Sequence, residues 1–512
     1  MEELAVSSFK TTGSKWLLPV SDFVGFPLDQ VNFLACQVFA LCAAFCFRLY
    51  LGPRDTSPLL RHAVAILFGL SFITFCFGWY AVHITLLVMV CYWILVIADT
   101  RNIHRYTMTV AISYLTACQV SRVFIYSYGI LSTDFSGPLM IITQKTTMLA
   151  FQVHDGKTGT MVRTNPCIYI VHQIMDKFYL PSLIEYLSYN LNFLSVLVGP
   201  CSHYNDYIDF IEGRHVQRRL GKPPGTNAGR SGPDEVPEPS PMAAVTRKLV
   251  ICVVCMVLFL TLTKAFPITY NVDSRFVSEA PFLTRLSYAF FSIQAARPKF
   301  YFAWTLADAI NNAAGYGVKG ADETGRVSWD LISNLNIWGI ETATSFKKFI
   351  DNWNIQTGVW LKTVCYDRAP RYRTALTFVL SALWHGVYPG YYFTFITAIP
   401  ITMAARGVRR NLRPHFLSSH LMKLGYDVLT WAATQLCVCY TVMPFLLLAV
   451  EPTIDYYRSM YFHVHIISIL TAIALSRGRQ HGDGASCSSS NGTRPPSLQE
   501  HPPPSNNNLK GN

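Results

Sequence analysis

The sequence predicts an all-α, polytopic membrane protein of roughly ten to twelve helices, some tilted or re-entrant, arranged around a central intramembrane chamber. Three observations predict it. Of 512 residues, 51% are hydrophobic and only 14% are charged, where a soluble protein carries about a quarter charged. Apolar runs recur near the length of about 20 residues that a bilayer demands. The Lys and Arg residues behind the net charge of +12 sit in short loops between those runs. That placement fits membrane-face anchors and not a nucleic-acid surface, so a bilayer is the expected partner and nucleic acid is not.

Residues 1–30 are mixed and polar, without the compact apolar core of a cleavable signal peptide. The run 31–51 is expected to act as a signal anchor. Further spanning candidates are 62–79, 80–98, 107–127, 183–200, 248–266, 282–296, 299–315, 374–388, 391–405, 427–450 and 460–476. A membrane domain over 31–476 follows, with a flexible polar loop at 213–247 and a Ser-, Asn- and Pro-rich disordered tail at 477–512. Basic clusters at Arg101/Arg105, Arg214/Arg218/Arg219/Lys222, Lys362/Arg368/Arg371/Arg373 and Arg406/Arg409/Arg410/Arg413 are expected to mark cytosolic loops. Most of the 14 cysteines lie in apolar runs and read as small buried hydrophobes, so neither a disulfide framework nor a metal site is expected. No internal repeat is visible, which argues against an inverted-repeat transporter.

Three polar stripes interrupt the apolar segments. Asp308, Asn311, Asn312 and Gly315 fall at i, i+3, i+4 and i+7, on one helical face. They read either as lining of a wet cavity or as an interhelical hydrogen-bond clamp. Asp351, Asn354, Thr357 and Gly358 share a second face; Asn354 offers both donor and acceptor, and Gly358 allows close approach. The third stripe is Ser381, Trp384, His385 and Tyr388, with Pro389-Gly390 expected to end its helix. An ionisable group at such depth is a functional-site hypothesis by default. Buried among apolar residues, the His385 imidazole is expected to stay neutral and able to accept a proton.

The ordered set Phe302-Ala-Trp-Thr-Leu-Ala-Asp-Ala, Asp351-Asn-Trp-Asn-Ile-Gln-Thr and Ser381-Ala-Leu-Trp-His-Gly-Val-Tyr-Pro-Gly-Tyr resembles the membrane-bound O-acyltransferases. Asp134-Phe-Ser-Gly-Pro and Glu185-Tyr-Leu-Ser-Tyr are similar to the lysophospholipid branch of that family, and the likeness runs from about Gly25 to Ser476. The stretch 157–181 departs from it, being partly apolar where relatives are charged. The resemblance implies transfer of a fatty acyl group from acyl-CoA, a co-substrate, to a lysophospholipid hydroxyl, with no cofactor or metal. It implies mainly lysophosphatidylethanolamine and lysophosphatidylserine as acceptors, re-acylated at sn-2 with unsaturated chains such as oleoyl, in the endoplasmic reticulum membrane. It implies that His385 and Asn354 are the catalytic pair. Asp308, Asn311, Asn312, Asp351, Thr357, Ser381, Trp384 and Tyr388 are candidate substrate contacts. Lys362, Arg368, Arg371, Arg373, Arg406, Arg409 and Arg410 are candidates for the CoA phosphates, each also readable as a membrane-face anchor. The same pair could acylate a sterol, a diacylglycerol or a peptide. A transporter using Asp308, Asn311 and His385 as a polar path is the rival from another class.

Overall fold

The computed structural model of the chain describes residues 12–125, 135–158, 180–221 and 237–482. They form helices α1 (Leu18–Val24), α2 (Leu28–Tyr50), α3 (Pro58–Phe77), α4 (Ala81–Ile97), α5 (Ile103–Ile125), α6 (Ser136–Thr158), α7 (Leu183–Leu191), α8 (Tyr204–Ile211), α9 (His215–Leu220), α10 (Met242–Ala265) and α11 (Ser274–Glu279). The second half continues as α12 (Phe282–Ala313), α13 (Ile337–Glu341), α14 (Phe346–Asn352), α15 (Ile355–Leu361), α16 (Arg373–His385), α17 (Pro389–Asn411), α18 (His420–Leu447), α19 (Val450–Ser459) and α20 (His463–Gly482). A two-residue antiparallel hairpin pairs Gly320 with Ser328 and Ala321 with Val327.

Helix α12 is the central beam. Its 32 residues make it roughly 48 Å long at 1.5 Å per residue. Its C-terminal half (Leu306, Ile310, Ala313) joins a core built from α2 to α8, to which Trp360 and Trp384 also belong. Its N-terminal and middle turns (Ala289, Ile293, Tyr301) join a second core with Phe346, Phe349, Ile401, Val438, Tyr440 and Tyr456. Arg297, buried at the centre of that second core, donates to Glu341 Oε2 (3.1 Å) and Gln435 Oε1 (3.0 Å). Two spans were expected over 282–315; a single helix runs through, carrying Pro298 inside it.

This is a polytopic helical membrane protein, but its spans are not all alike. Among the described residues, four stretches are long and apolar enough to cross a bilayer: Leu28–Tyr50, Pro58–Ile97, Met242–Val272 and His420–Leu447. The pair Val450–Ser459 and His463–Leu475, bent by 73°, brings the number to five at most. These are fewer than the expected ten to twelve: 62–79 and 80–98 lie in one stretch, Pro58–Ile97, 282–296 and 299–315 fall in the single helix α12, and the helix over 374–388, α16, has only 13 residues. The segment 183–200 is corrected outright. It holds only the nine-residue α7, started by a capping box between Ser182 and Glu185, and Asn192 ends it in extended conformation. The expected polar loop at 213–247 begins with α9 and ends inside α10; residues 222–236 lie outside the described set, as do 159–179 of the departing stretch. Helix α20 carries on to Gly482, past the expected start of the tail at 477, and the rest of that tail is outside the described residues.

Candidate active site

The second stripe is not one helix. Helix α14 stops at Asn352 and α15 starts at Ile355, with Asn354 between them in left-handed conformation (φ 48°, ψ 53°). Asn tolerates that region better than most side chains, which suits it to the junction. Asn354 therefore occupies the N-cap position of α15, yet its side chain makes no capping bond. It is partly buried and accepts or donates no side-chain hydrogen bond to the described protein. One turn on, Gly358 faces open space. Asp351 parts from this face: it is exposed and pairs with Lys347 on α14.

The third stripe also breaks. Helix α16 ends at His385, and Gly386 turns the chain with φ +139°, where a Cβ would press on Tyr391 (3.2 Å) and Gln119 (3.6 Å). Pro389 starts the next helix instead of ending this one; it is the first residue of α17, with Tyr388 as its N-cap. Gly390 is packed against the Pro444 carbonyl of α18, where a Cβ would sit at 2.1 Å. His385 thus lies at a helix C-terminus, facing the break between α16 and α17. Its ring is walled by Trp384 (4.6 Å), Phe395 (5.2 Å, stacked), Phe445 (5.0 Å, edge-on) and Tyr391 (5.7 Å). Neither ring nitrogen has a hydrogen-bond partner among the described residues, and neither is sealed from its surroundings. The aromatic wall offers no charge to hold an imidazolium, so the geometry suits a neutral acceptor of protons.

A frame absent from the sequence reading holds both breaks. Helix α6 carries Thr143-Gln-Lys-Thr-Thr147 buried at its centre. Gln144 Nε2 donates to Thr357 Oγ1 at 2.9 Å, and Trp360 Nε1 donates to Thr147 Oγ1 at 2.9 Å, so α15 is pinned twice. Trp384 Nε1 donates to the Met140 carbonyl (3.0 Å), and Gln119 Nε2 of α5 donates to the Trp384 carbonyl (3.0 Å). The Trp360 and Trp384 rings meet at 5.8 Å. Asn354 and His385 thus stand on two helices fastened to one support. Thr357 and Trp384, expected as substrate contacts, take part in that fastening, Thr357 as an acceptor and Trp384 as a donor. Ser381 and Tyr388 are buried beside it, and the Arg122 guanidinium lies over the Tyr388 ring at 5.6 Å.

The first stripe is a clamp. Lys248 Nζ of α10 donates to Asp308 Oδ2 (2.7 Å), Asn312 Oδ1 (2.8 Å) and the Trp329 carbonyl (3.2 Å). Ser333 Oγ donates to Asp308 Oδ2 (2.5 Å), and Asn311 Nδ2 donates to the Leu194 and Ala307 carbonyls. All three stripe residues are buried and each makes at least one hydrogen bond, as an interhelical clamp requires.

Of the basic candidates, Arg368 is committed to Asp155 through two bonds (3.0 and 2.5 Å) and covers the Phe151 ring. Arg371 and Arg373 are exposed where α16 begins, and Arg406 of α17 reaches the same end, donating to Thr374 Oγ1 at 3.0 Å. Lys362 is partly buried on the α15 side, and Arg409 and Arg410 are exposed at the end of α17.

Comparison with known proteins bears on this arrangement. The chain is 57% identical over 468 residues to membrane-bound glycerophospholipid O-acyltransferase 1 of Mus musculus, covering 91% of this chain and 94% of that protein. It is 58% identical over 468 residues to the protein of that name in Homo sapiens, covering 91% and 93%. The lysophospholipid acyltransferase of Schizosaccharomyces pombe is 30% identical over 467 residues, covering 89% and 87%. The membrane-bound O-acyltransferase family matches residues 120–447, a span that holds α6, the Lys248 clamp, Asn354 and His385. The chain belongs to the membrane-bound O-acyltransferase family and is an acyltransferase enzyme.

Proposed function

We propose that this acyltransferase moves a fatty acyl group from acyl-CoA to the free hydroxyl of a lysophospholipid, in one direct step between the two bound substrates. The observation that carries the reading is the pair of unengaged groups. In an interior where Thr357, Trp360, Trp384, Asp308 and Asn312 are all hydrogen-bonded, the Asn354 carboxamide and the His385 imidazole are left for something else. Relatives that share most of the chain are named for acylation of glycerophospholipids and lysophospholipids, which favours a glycerol hydroxyl over a sterol or peptide as acceptor.

In the proposed step the acceptor oxygen attacks the thioester carbonyl carbon while His385 takes its proton. The new ester C–O bond forms as the C–S bond breaks, and the proton passes to the departing thiolate to give free CoA. Base assistance of this kind is worth on the order of 10²–10⁴ in rate. Asn354 orients the hydroxyl or donates to the developing oxyanion; loss of one such donor costs on the order of 10²–10³. Exclusion of bulk water protects the thioester from hydrolysis. Arg371, Arg373 and Arg406 cluster at one end of α16 and α17 and are the basic residues best placed for the CoA phosphates, with Lys362 at the α15 side. The finer expectation is lysophosphatidylethanolamine and lysophosphatidylserine re-acylated at sn-2 with oleoyl chains, in the endoplasmic reticulum membrane. The test is microsomal His385→Ala and Asn354→Ala assayed with oleoyl-CoA against a panel of lysophospholipids, a sterol and a diacylglycerol. Both variants are expected to lose turnover, with wild-type product found only among phospholipids; wild-type turnover by a normally expressed His385→Ala removes His385 from the chemistry.

A further inference from the structure

A short helix beginning at Ile355 needs acceptors for its first backbone N–H groups. The residue at its N-cap, Asn354, would ordinarily supply one from its own side chain. Here another residue does so. The Asn334 carbonyl accepts from Ile355 N at 2.7 Å, and Asn334 Oδ1 accepts from Gln356 N at 3.2 Å. Asn334 is buried, and so is Ser333 before it. The loop that carries them is fixed from both sides. Ser333 Oγ is bound to Asp308, the Trp329 carbonyl is held by Lys248 and Asn312, and Asn336 N donates to the Asn352 carbonyl at 3.0 Å. On the far side, Gln356 Nε2 reaches back to the Leu331 carbonyl (3.2 Å) and the Ser333 carbonyl (3.4 Å).

We propose that Asn334 is a positioning residue for the acyl transfer: it caps α15 from outside, so that the Asn354 carboxamide is released from capping and presented to the substrate. The inference rests on the catalytic reading of Asn354 given above. The Lys248–Asp308–Asn312 clamp is the anchor of the capping loop, which gives the first polar stripe a task at the site without any contact to substrate. Without the Asn334 carboxamide, the Gln356 N–H loses its acceptor, and the side chain at the N-cap position, Asn354, is the group that ordinarily takes that place. Recapture turns the carboxamide away from the reacting atoms while leaving substrate binding in place.

The experiment compares Asn334→Ala and Asn334→Asp in the wild-type background and in Asn354→Gly, using full-length protein and a radiolabelled acyl donor sensitive enough for residual turnover. Asn334→Ala is expected to lower kcat about tenfold, the equivalent of one lost cap, with KM for either substrate little changed. Asn334→Asp keeps an acceptor for Gln356 N and is expected to restore most of the loss. In Asn354→Gly, Asn334→Ala is expected to have no further effect on kcat, because the group it would misplace is gone. An equal loss in both backgrounds, or wild-type kcat in Asn334→Ala, overturns the proposal. Should Asn334→Ala fail to accumulate, Asn334→Asp and Asn334→Ser decide it: failure of both to turn over at normal abundance overturns it as well. Wild-type activity in Asn354→Gly alone is a different outcome, and it defeats the catalytic reading itself.

Discussion

The left-handed backbone of Asn354 allows its chemistry to be separated from its geometry. A residue at φ 48° and ψ 53° costs about 1–2 kcal/mol for a side chain such as Ala, little for Asn and nothing for Gly. Asn354→Gly therefore removes the carboxamide without straining the α14–α15 junction, and Asn354→Ala removes it with strain. The structure gives the side chain no hydrogen bond to lose, so the Gly variant is expected to fold at near wild-type abundance and to melt within a few degrees of wild type. If the carboxamide orients substrate or stabilises the oxyanion, both variants lose on the order of 10²–10³ in kcat, or roughly 3–4 kcal/mol of transition-state stabilisation. If Asn354 serves only to allow the left-handed turn, Gly is fully active and only Ala is impaired, through abundance. Release of CoA thiol from oleoyl-CoA, normalised to folded protein by size-exclusion profile, reads the difference. Full turnover by Asn354→Gly refutes the assignment whatever Asn354→Ala does.

Other expectations follow from the same contacts. His385→Gln preserves a polar group of similar reach but cannot act as a base at neutral pH; it is expected to lose on the order of 10²–10⁴ in kcat with little change in thermal midpoint, since no hydrogen bond to His385 is broken. Trp384→Phe keeps an aromatic ring but loses the Nε1–H bond to the Met140 carbonyl, which stays in the α6 backbone ladder, at a cost of about 0.5–1.5 kcal/mol in stability, read by thermal unfolding in detergent. Lys248→Met leaves the Asp308 carboxylate buried without its cation and is expected to cost roughly 3–5 kcal/mol, partly recovered by Asp308→Leu in the same chain. His215, buried with Nε2 against the Gly315 carbonyl (3.1 Å), is held down to about 4 mainly by loss of hydration. Its unfolded form takes up a proton near pH 6.5 and its folded form does not until about 4. Stability is therefore complete above 6.5 and falls on acidification across that window, by up to about 3 kcal/mol, a slope that His215→Asn should flatten.

What could be read from the residues was whatever depended on polarity inside an apolar context. His385 and Asn354 were legible because a carboxamide and an imidazole are conspicuous there, and the Asp308 stripe was legible as a face. Three things were not. Helix α6 was missed because Thr143-Gln-Lys-Thr-Thr147 lowers the hydropathy of its middle, although Lys145 is fully buried, donating to the Tyr189 carbonyl (2.9 Å) and Ser195 Oγ (2.6 Å). A run of polar residues flanked by apolar ones was the available signal, but length and apolarity alone cannot distinguish it from a loop. The helix breaks at Asn354 and Gly386 were hidden because helical periodicity continues across them. Pro389 looked like a terminator, but a proline is equally at home in a first turn, and only the glycine at 386 identifies which. The role of Asn334 had no signal at all, since a residue twenty positions before Asn354 has no local reason to cap α15.

These breaks explain why the pair stands where it does. A side chain within an unbroken helix points where the helix sends it, and its backbone groups are consumed by the next turn. At a helix end the direction is set by one or two dihedral angles, and neighbours can overrule local preference. Here Gly386 supplies a dihedral angle closed to other residues, Asn354 supplies one that few others tolerate, and α6 holds the two helices in register through Thr357, Trp360 and Trp384. Hydrogen-bonding capacity is thereby concentrated in the supports, while the side chains of Asn354 and His385, the groups proposed to react, make no hydrogen bond among the described residues. If that division holds, damage to the supports lowers turnover in proportion to misplacement and leaves the order of the reaction unchanged. Gln144→Leu is the clearest case: it deletes the bond to Thr357, and Gln144 makes no hydrogen bond to Asn354 or His385. It is expected to lower kcat about tenfold while KM for both substrates stays within twofold. A rise in KM with kcat intact would mean that α6 lines the substrate path instead of bracing the site.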